Sequence, residues 1–394
     1  MPAPTLASTL RSPRAGALLL LVAAALGLLA ANSPLGGTLS DLQGTYVALP
    51  GTPISLTVGH WISDGLLAIF FFVVAIELRH ELTAGELNSA STALRPAIAA
   101  LGGVVVPILV YLAVTAGSGL EDGWPIPTAT DIAFALGILA VFGRGLPAGL
   151  RVFLLALAIL DDIIAILIIA VFFTTDPRLG LIAAAVAGTV VFAVLSRFLG
   201  GRARPVVAAL MVVVALVTWG LVVLSGVHAT IAGVALGLVM AAAPAARTRH
   251  ALEPVSNGLV LPLFAFSAAL VVIPSVPLSE LSPAFWGIAL ALPVGKIVGI
   301  TLGGWLGARV GAADGTVLPT PALLAAGALG GIGFTVSLLM NELAFAEDPA
   351  VADEGTLAVL VGSGVSIVLA AVLVSRLARK HRARQAAAAA APTA

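Results

Sequence analysis

The sequence predicts an all-α integral membrane protein of about twelve transmembrane helices, forming one domain over residues 1–394. Three observations carry that prediction. Hydrophobic residues make up 60% of the chain and charged residues 10%, where a soluble domain carries about a quarter charged. The apolar residues fall into stretches long enough to cross a bilayer. The basic residues collect on alternate connections between those stretches. A zero net charge argues against a nucleic-acid-binding face. The absence of cysteine excludes disulfides, thiolate metal sites and thiol nucleophiles.

A hydrocarbon core of about 30 Å needs about 20 apolar residues at 1.5 Å each. The stretches that qualify are 15–32, 60–77, 95–117, 122–142, 148–174, 179–199, 205–224, 226–243, 254–273, 284–307, 319–345 and 356–375. Only Ser225 and Gly226 separate the seventh from the eighth, so one merged stretch is the competing reading there. Of 19 Lys and Arg, all but Arg178 and Lys296 lie on one set of alternate segments, from Arg11 and Arg14 to the cluster Arg376–Arg384. The positive-inside rule then places both termini in the cytoplasm. The first stretch, preceded by two arginines, also fits a signal peptide. Residues 376–394 read as a frayed cytoplasmic tail.

On the external side, residues 45–58 hold two β-prone runs around Pro50-Gly51-Thr52-Pro53, the pattern of a β-hairpin. A plain loop is the competing reading. An isolated hairpin is marginal in water, so this one should pair with something.

Four ionisable residues sit where the bilayer is driest. Asp131 lies near the middle of the fourth stretch, Asp161 and Asp162 near the middle of the fifth, and Lys296 near the middle of the tenth. Each costs about 2.5–3.5 kcal/mol on insertion scales, so their shared depth predicts a common polar cavity. A helix-gluing ion pair would explain one aspartate with Lys296 and leave two carboxylates over. Lysine is nearly absent otherwise, the other being Lys380; unlike arginine, a buried lysine can lose its proton. Asp161 and Asp162 are about 100° apart on their helix, so one can face a cavity while the other packs inward. A monovalent cation and a proton would compete for such carboxylates.

Two stretches are interrupted: the fourth by Trp124-Pro125-Ile126-Pro127 ahead of Asp131, the eleventh by the glycines of Gly327–Thr335. Proline and clustered glycine both break helices. If stretches 3–5 and 10–12 are matched as inverted repeats, the broken helix is second in each, and the two breaks should cross at mid-membrane.

Read in order, Asp64–Phe72 with Glu77–Glu81, Ala129–Gly137, Leu155–Asp162, Ser225–Thr230, Leu261–Phe266, Gly295-Lys296 and Gly330–Thr335 resemble the NhaA family of bacterial sodium/proton antiporters over nearly the whole chain. The resemblance implies an NhaA-like fold, with Asp162 as the principal sodium ligand and Asp161 as a companion carboxylate associated with Lys296. It implies that Thr130 and Asp131 are the polar residues of the fourth-helix break. It extends, less directly, to Asp64, Glu77, Glu81, His228 and His250 in the ion path or pH response. A solvated Asp64 and a helix-end His228 are the plain readings of those two. Arg249 and Glu253 depart from the family, which commonly has glutamate and histidine there, as does His80, where arginine is usual. The hairpin matches the family's dimer contact.

The implied function is a secondary transporter, not an enzyme, that extrudes Na⁺ or Li⁺ from a bacterial inner membrane in exchange for protons, electrogenically and under pH control. No cofactor is expected. The expected partners are membrane lipid and a second copy of the chain, without nucleic acid. No phosphate-binding loop motif occurs, so ATP is not expected either. A sodium-coupled carrier of an organic anion and an intramembrane aspartate-dependent enzyme are the competing readings.

Overall fold

The computed structural model describes residue 10 and residues 12–85, 88–146, 148–174, 176–200, 204–273, 277–310 and 318–390. Arg11 and Arg202, used above for orientation, lie outside the described residues. Helices α1 (Pro13–Ala31) and α2 (Gly36–Gly44) lead into strands β1 (Tyr46–Ala48) and β2 (Ser55–Thr57). There follow α3 (Val58–Ala84), α4 (Ala90–Thr115), α5 (Ile132–Phe142), α6 (Ala148–Phe172), α7 (Leu179–Ser196) and α8 (Arg204–Leu224). The chain continues through α9 (Thr230–Val239), α10 (Ala242–Ala268), α11 (Pro283–Val310), α12 (Thr320–Gly330), α13 (Phe334–Ala344) and α14 (Pro349–Ala390).

Among the described residues nine helices are long and apolar enough to cross a membrane, and two bent pairs raise the number to eleven. The eighth expected stretch forms only the ten-residue α9, about 15 Å long. Gly226, at φ +83°, separates it from α8, which removes the merged reading.

Both expected interruptions are present. The short helical turns of Glu121–Thr128 meet α5 at 42°, and α12 meets α13 at 50°. Pro125 and Pro127 limit the first segment to single turns, and Ala129 is extended. In α11, Pro293 lies within a wide π turn at Ala291–Gly295, where a missing N–H is accommodated.

The hairpin is antiparallel, with Tyr46 opposite Thr57 and Ala48 opposite Ser55. Gly51, at φ +78°, makes its turn. It is fixed to the helices by the Trp61 Nε1–H bond to the Val47 carbonyl, 3.0 Å, and by the buried Ile54.

The frayed tail expected at 376–394 is corrected as far as it is described. Helix α14 continues unbroken to Ala390. Residues 376–390 contain neither glycine nor proline and are rich in alanine and arginine, both strong helix formers.

The chain divides into two compact units. The first contains the described residues of Leu19–Gly85 and Ile166–Val272. Its core gathers Ile76, Phe192, Val207, Met211, Leu236 and Met240. The second contains Ser12–Leu18 and the described residues of Glu86–Ala165 and Ile273–Ala394. Here α4 and α11 touch backbone to backbone: a Cβ on Gly102 or Gly299 would overlap the other's carbonyl oxygen. This close approach is the packing mode small residues permit in a membrane.

Candidate ion site at two broken helices

The site lies within the second unit, where the two chain breaks touch. The Asp131 N–H donates to the Ile332 carbonyl at 2.6 Å, joining one break to the other. A broken helix leaves N–H groups at one end and carbonyls at the other without intrahelical partners, and these ends carry partial charge. The surrounding side chains satisfy both kinds.

Asp131 serves the donor ends. Its Oδ1 accepts from the Phe134 N–H at 3.1 Å, capping α5. Its Oδ2 accepts from the Thr335 hydroxyl at 2.6 Å and the Thr335 N–H at 3.3 Å, at the start of α13. One carboxylate thus spans the N-termini of two half-helices, where negative charge is favoured.

Lys296 and Thr130 serve the acceptor ends. Lys296 Nζ donates to the Thr128 carbonyl at 2.6 Å, to Thr130 Oγ1 at 3.1 Å and to Asp161 Oδ2 at 2.7 Å. All three hydrogens of an ammonium are therefore committed. The Thr130 hydroxyl lies 2.7 Å from two acceptors, Asp161 Oδ2 and the Gly330 carbonyl that ends α12. The Lys296–Asp161 pair is wholly buried, with both side chains at 0% exposure. Such burial demands a partner for each charge. Asp161 Oδ1 is buried without a hydrogen-bond partner. Asp162, the next residue on α6, is buried as well, at 6% exposure.

The crossing thus brings together Thr130, Asp131, Asp161 and Lys296, with Asp162 adjacent on α6. Chemically it offers hard oxygen donors, which suit a small monovalent cation, beside carboxylates that can hold a proton instead. Among the described residues no group of three or more His, Cys, Asp or Glu is placed to hold a resident metal ion. Sequence reasoning did not single out Thr335, nor the carbonyls of Thr128 and Gly330. Thr335 was legible as a potential cap, being a threonine just past a glycine break; carbonyls leave no trace in residue type.

Two further sets of candidates lie in the first unit. Asp64 Oδ1 is 3.1 Å from His228 Nε2, both side chains largely buried, and His228 Nδ1 is 2.7 Å from Thr230 Oγ1 at the start of α9. The plain reading of Asp64 as solvated is therefore corrected: His228 covers it. The Trp219 indole N–H also donates to the Asp64 carbonyl at 3.0 Å. In the second set, Arg249 Nη1 of α10 is 3.0 Å from Glu77 Oε1 of α3, both half-exposed. Glu81 and Glu253 contribute negative potential at the same carboxylate, and His250 is exposed beside Arg249.

The family model described as Na⁺/H⁺ antiporter 1 matches residues 7–374. The chain is similar to the Na(+)/H(+) antiporter NhaA 2 of Clavibacter michiganensis subsp. michiganensis, 64% identical over 388 residues, covering 97% of this chain and 94% of that protein. It is 45% identical over 374 residues to the Na(+)/H(+) antiporter NhaA of Tropheryma whipplei, with 93% and 94% covered. The NhaA antiporter of Streptomyces avermitilis is 46% identical over 390 residues, with 96% and 83% covered. With a match over nearly its full length and the broken-helix crossing in place, the chain belongs to the Na⁺/H⁺ antiporter 1 family.

Proposed function

We propose that this protein is a multi-pass membrane Na⁺/H⁺ antiporter that moves sodium out of a bacterial cell against entering protons, with no resident cofactor. The observation that carries the reading is the buried Lys296–Asp161 pair, 2.7 Å long, with Asp162 beside it at the crossing of two broken helices. Sodium, the transported substrate, takes Asp162 as principal ligand. Asp161 and backbone or hydroxyl oxygens near the breaks complete its shell.

Exchange follows from competition. A carboxylate that has accepted a proton no longer presents the charge that holds Na⁺, and a bound cation disfavours the proton. Lys296 can give up its own proton where an arginine could not, so more than one proton can move per sodium and the cycle carries net charge. Asp131 keeps the half-helix N-termini compensated while the site opens to one side and then the other.

Twelve crossings result if α9 and its non-helical flanks count as one span beside the eleven candidates. Inverted repeats, spans 3–5 against 10–12, are supported by the close pairing of α4 with α11 and by the break second in each set. Both termini are assigned to the cytoplasm from the basic residues. A homodimer joined through the hairpin, and pH control through Asp64, His228, Glu77, Glu81, Arg249, His250 and Glu253, complete the reading.

Reconstituted vesicles test it. With an imposed pH gradient, added Na⁺ should drive proton release and choline should not. Asp162→Asn keeps the side-chain shape but cannot titrate, and should abolish the response while the protein stays folded. Sodium-dependent exchange of normal size in that variant would remove the assignment.

A further inference from the structure

Helix α14 has 42 residues and is about 63 Å long, twice the about 30 Å of a hydrocarbon core. Its apolar run ends at Ser375, and residues 376–384 then carry Arg376, Arg379, Lys380, Arg382 and Arg384, all exposed. At about 100° per residue these five fall within an arc of about 200°. The opposite side holds Val374 and Ala378, both fully buried, and the half-buried His381. The apolar side therefore seats this segment on its own unit, and the cationic side is presented as an ordered face.

Among the described residues the array is without a counter-charge: none of its members forms an ion pair, and no Asp or Glu follows Glu354 in the sequence. The stem of Arg382 rests on the Gly145 turn, where an added Cβ would come within 2.9 Å of its Cγ. The exposed Arg144 is thereby brought to the edge of the same face. Membrane topology requires positive charge near the boundary, but not a one-sided, ordered and unpaired array.

We infer that the outer face of residues 376–384, with Arg144, is a docking surface for anionic phospholipid headgroups of the surrounding bilayer. The position favours lipid as the occupant, since the array begins where the helix leaves the apolar layer, level with headgroup phosphates. The composition agrees: arginine, which pairs in bidentate fashion with phosphate, outnumbers lysine, and long stems let the charges reach the headgroup plane. Juxtamembrane basic clusters are attracted to anionic lipid in this way.

The test uses the full chain in mild detergent. Retention of phosphatidylglycerol and of phosphatidylcholine is measured for the natural protein and for a variant carrying Arg376→Gln, Arg379→Gln, Lys380→Gln, Arg382→Gln and Arg384→Gln. Glutamine preserves helix propensity, and Na⁺/H⁺ exchange of the variant in phosphatidylcholine vesicles checks its fold. The natural protein should prefer phosphatidylglycerol, and the variant should lose at least about tenfold of that binding. The unsubstituted protein supplies a second arm. Raising choline chloride from about 0.1 M to about 1 M shortens the screening length from about 10 Å to about 3 Å and should release phosphatidylglycerol but not phosphatidylcholine. Equal phosphatidylglycerol retention by both proteins would overturn the inference. So would displacement of the lipid by millimolar inorganic phosphate, which would mark a small-anion site, or retention indifferent to headgroup charge, which would leave the face to an acidic protein.

Discussion

Replacing Lys296 by methionine keeps an unbranched side chain, one heavy atom shorter, and removes its charge and donors. The change withdraws three hydrogen bonds, to the Thr128 carbonyl, Thr130 Oγ1 and Asp161 Oδ2. Asp161 is then left with the Thr130 hydrogen alone, because its Oδ1 already lacks a partner. Removing one member of a buried pair costs about 3–5 kcal/mol, or roughly two to three and a half orders of magnitude in the native population. Asp161→Asn strands the ammonium instead and should be destabilising in its own right. In the double variant no buried charge is stranded. What remains is chiefly the unmet hydrogen-bonding need of the buried Thr128 carbonyl, about 1–3 kcal/mol. The coupling energy between the two positions should therefore be at least about 2 kcal/mol. Unfolding in mild detergent, followed by tryptophan fluorescence, reads it directly. Strictly additive losses in the double variant would refute the reasoning, since they would mean that the two side chains do not hold each other's charge.

Gly299→Ala places a methyl group against the Gly102 carbonyl, one turn from Lys296, and should cost about 1–3 kcal/mol and weaken sodium affinity in vesicle assays. Arg249→Glu replaces the cation 3.0 Å from Glu77 by a like charge. The half-exposed pair contributes about 0–1 kcal/mol, so stability should hardly change, whereas a rim given another carboxylate should retain protons to higher pH. Exchange measured across a pH series should then switch on at more alkaline pH, and superimposable curves would assign Arg249 to topology alone. Deleting residues 45–58 should abolish the proposed dimer on size-exclusion chromatography with exchange retained, because the hairpin meets the helices through Val47 and Ile54, outside the crossing.

The helix breaks were legible because proline and glycine act locally: Pro125, Pro127 and the run Gly330–Gly333 interrupt hydrogen bonding wherever they stand. The hairpin was legible from Gly51 in its turn. The length of α9 was not, since an apolar stretch satisfies the span rule whether or not all of it is helical. The tail was read as frayed, although alanine and arginine favour helix; that Val374 and Ala378 would find a surface to pack on was not readable. Within the site, mid-membrane depth pointed to Asp131, Asp161, Asp162 and Lys296. Which oxygen each would meet was not readable, because Thr128 and Gly330 act through their carbonyls and Thr335 is separated from Asp131 by some two hundred positions. The cover that His228 gives Asp64 depends likewise on how separate elements pack.

The Thr130 hydroxyl has one hydrogen and two acceptors at the same distance, Asp161 Oδ2 and the Gly330 carbonyl. At any instant it can serve one of them, and a rotation about a single bond passes it to the other. Such a rotor turns in picoseconds to nanoseconds, far faster than rearrangement of helices. In the proposed exchange cycle, when an arriving ion claims the carboxylate, the hydroxyl can release Asp161 and keep its bond count by turning to the carbonyl. The exchange of partners leaves no dangling hydrogen, so the first local event of ion capture can proceed without waiting for the backbone to move.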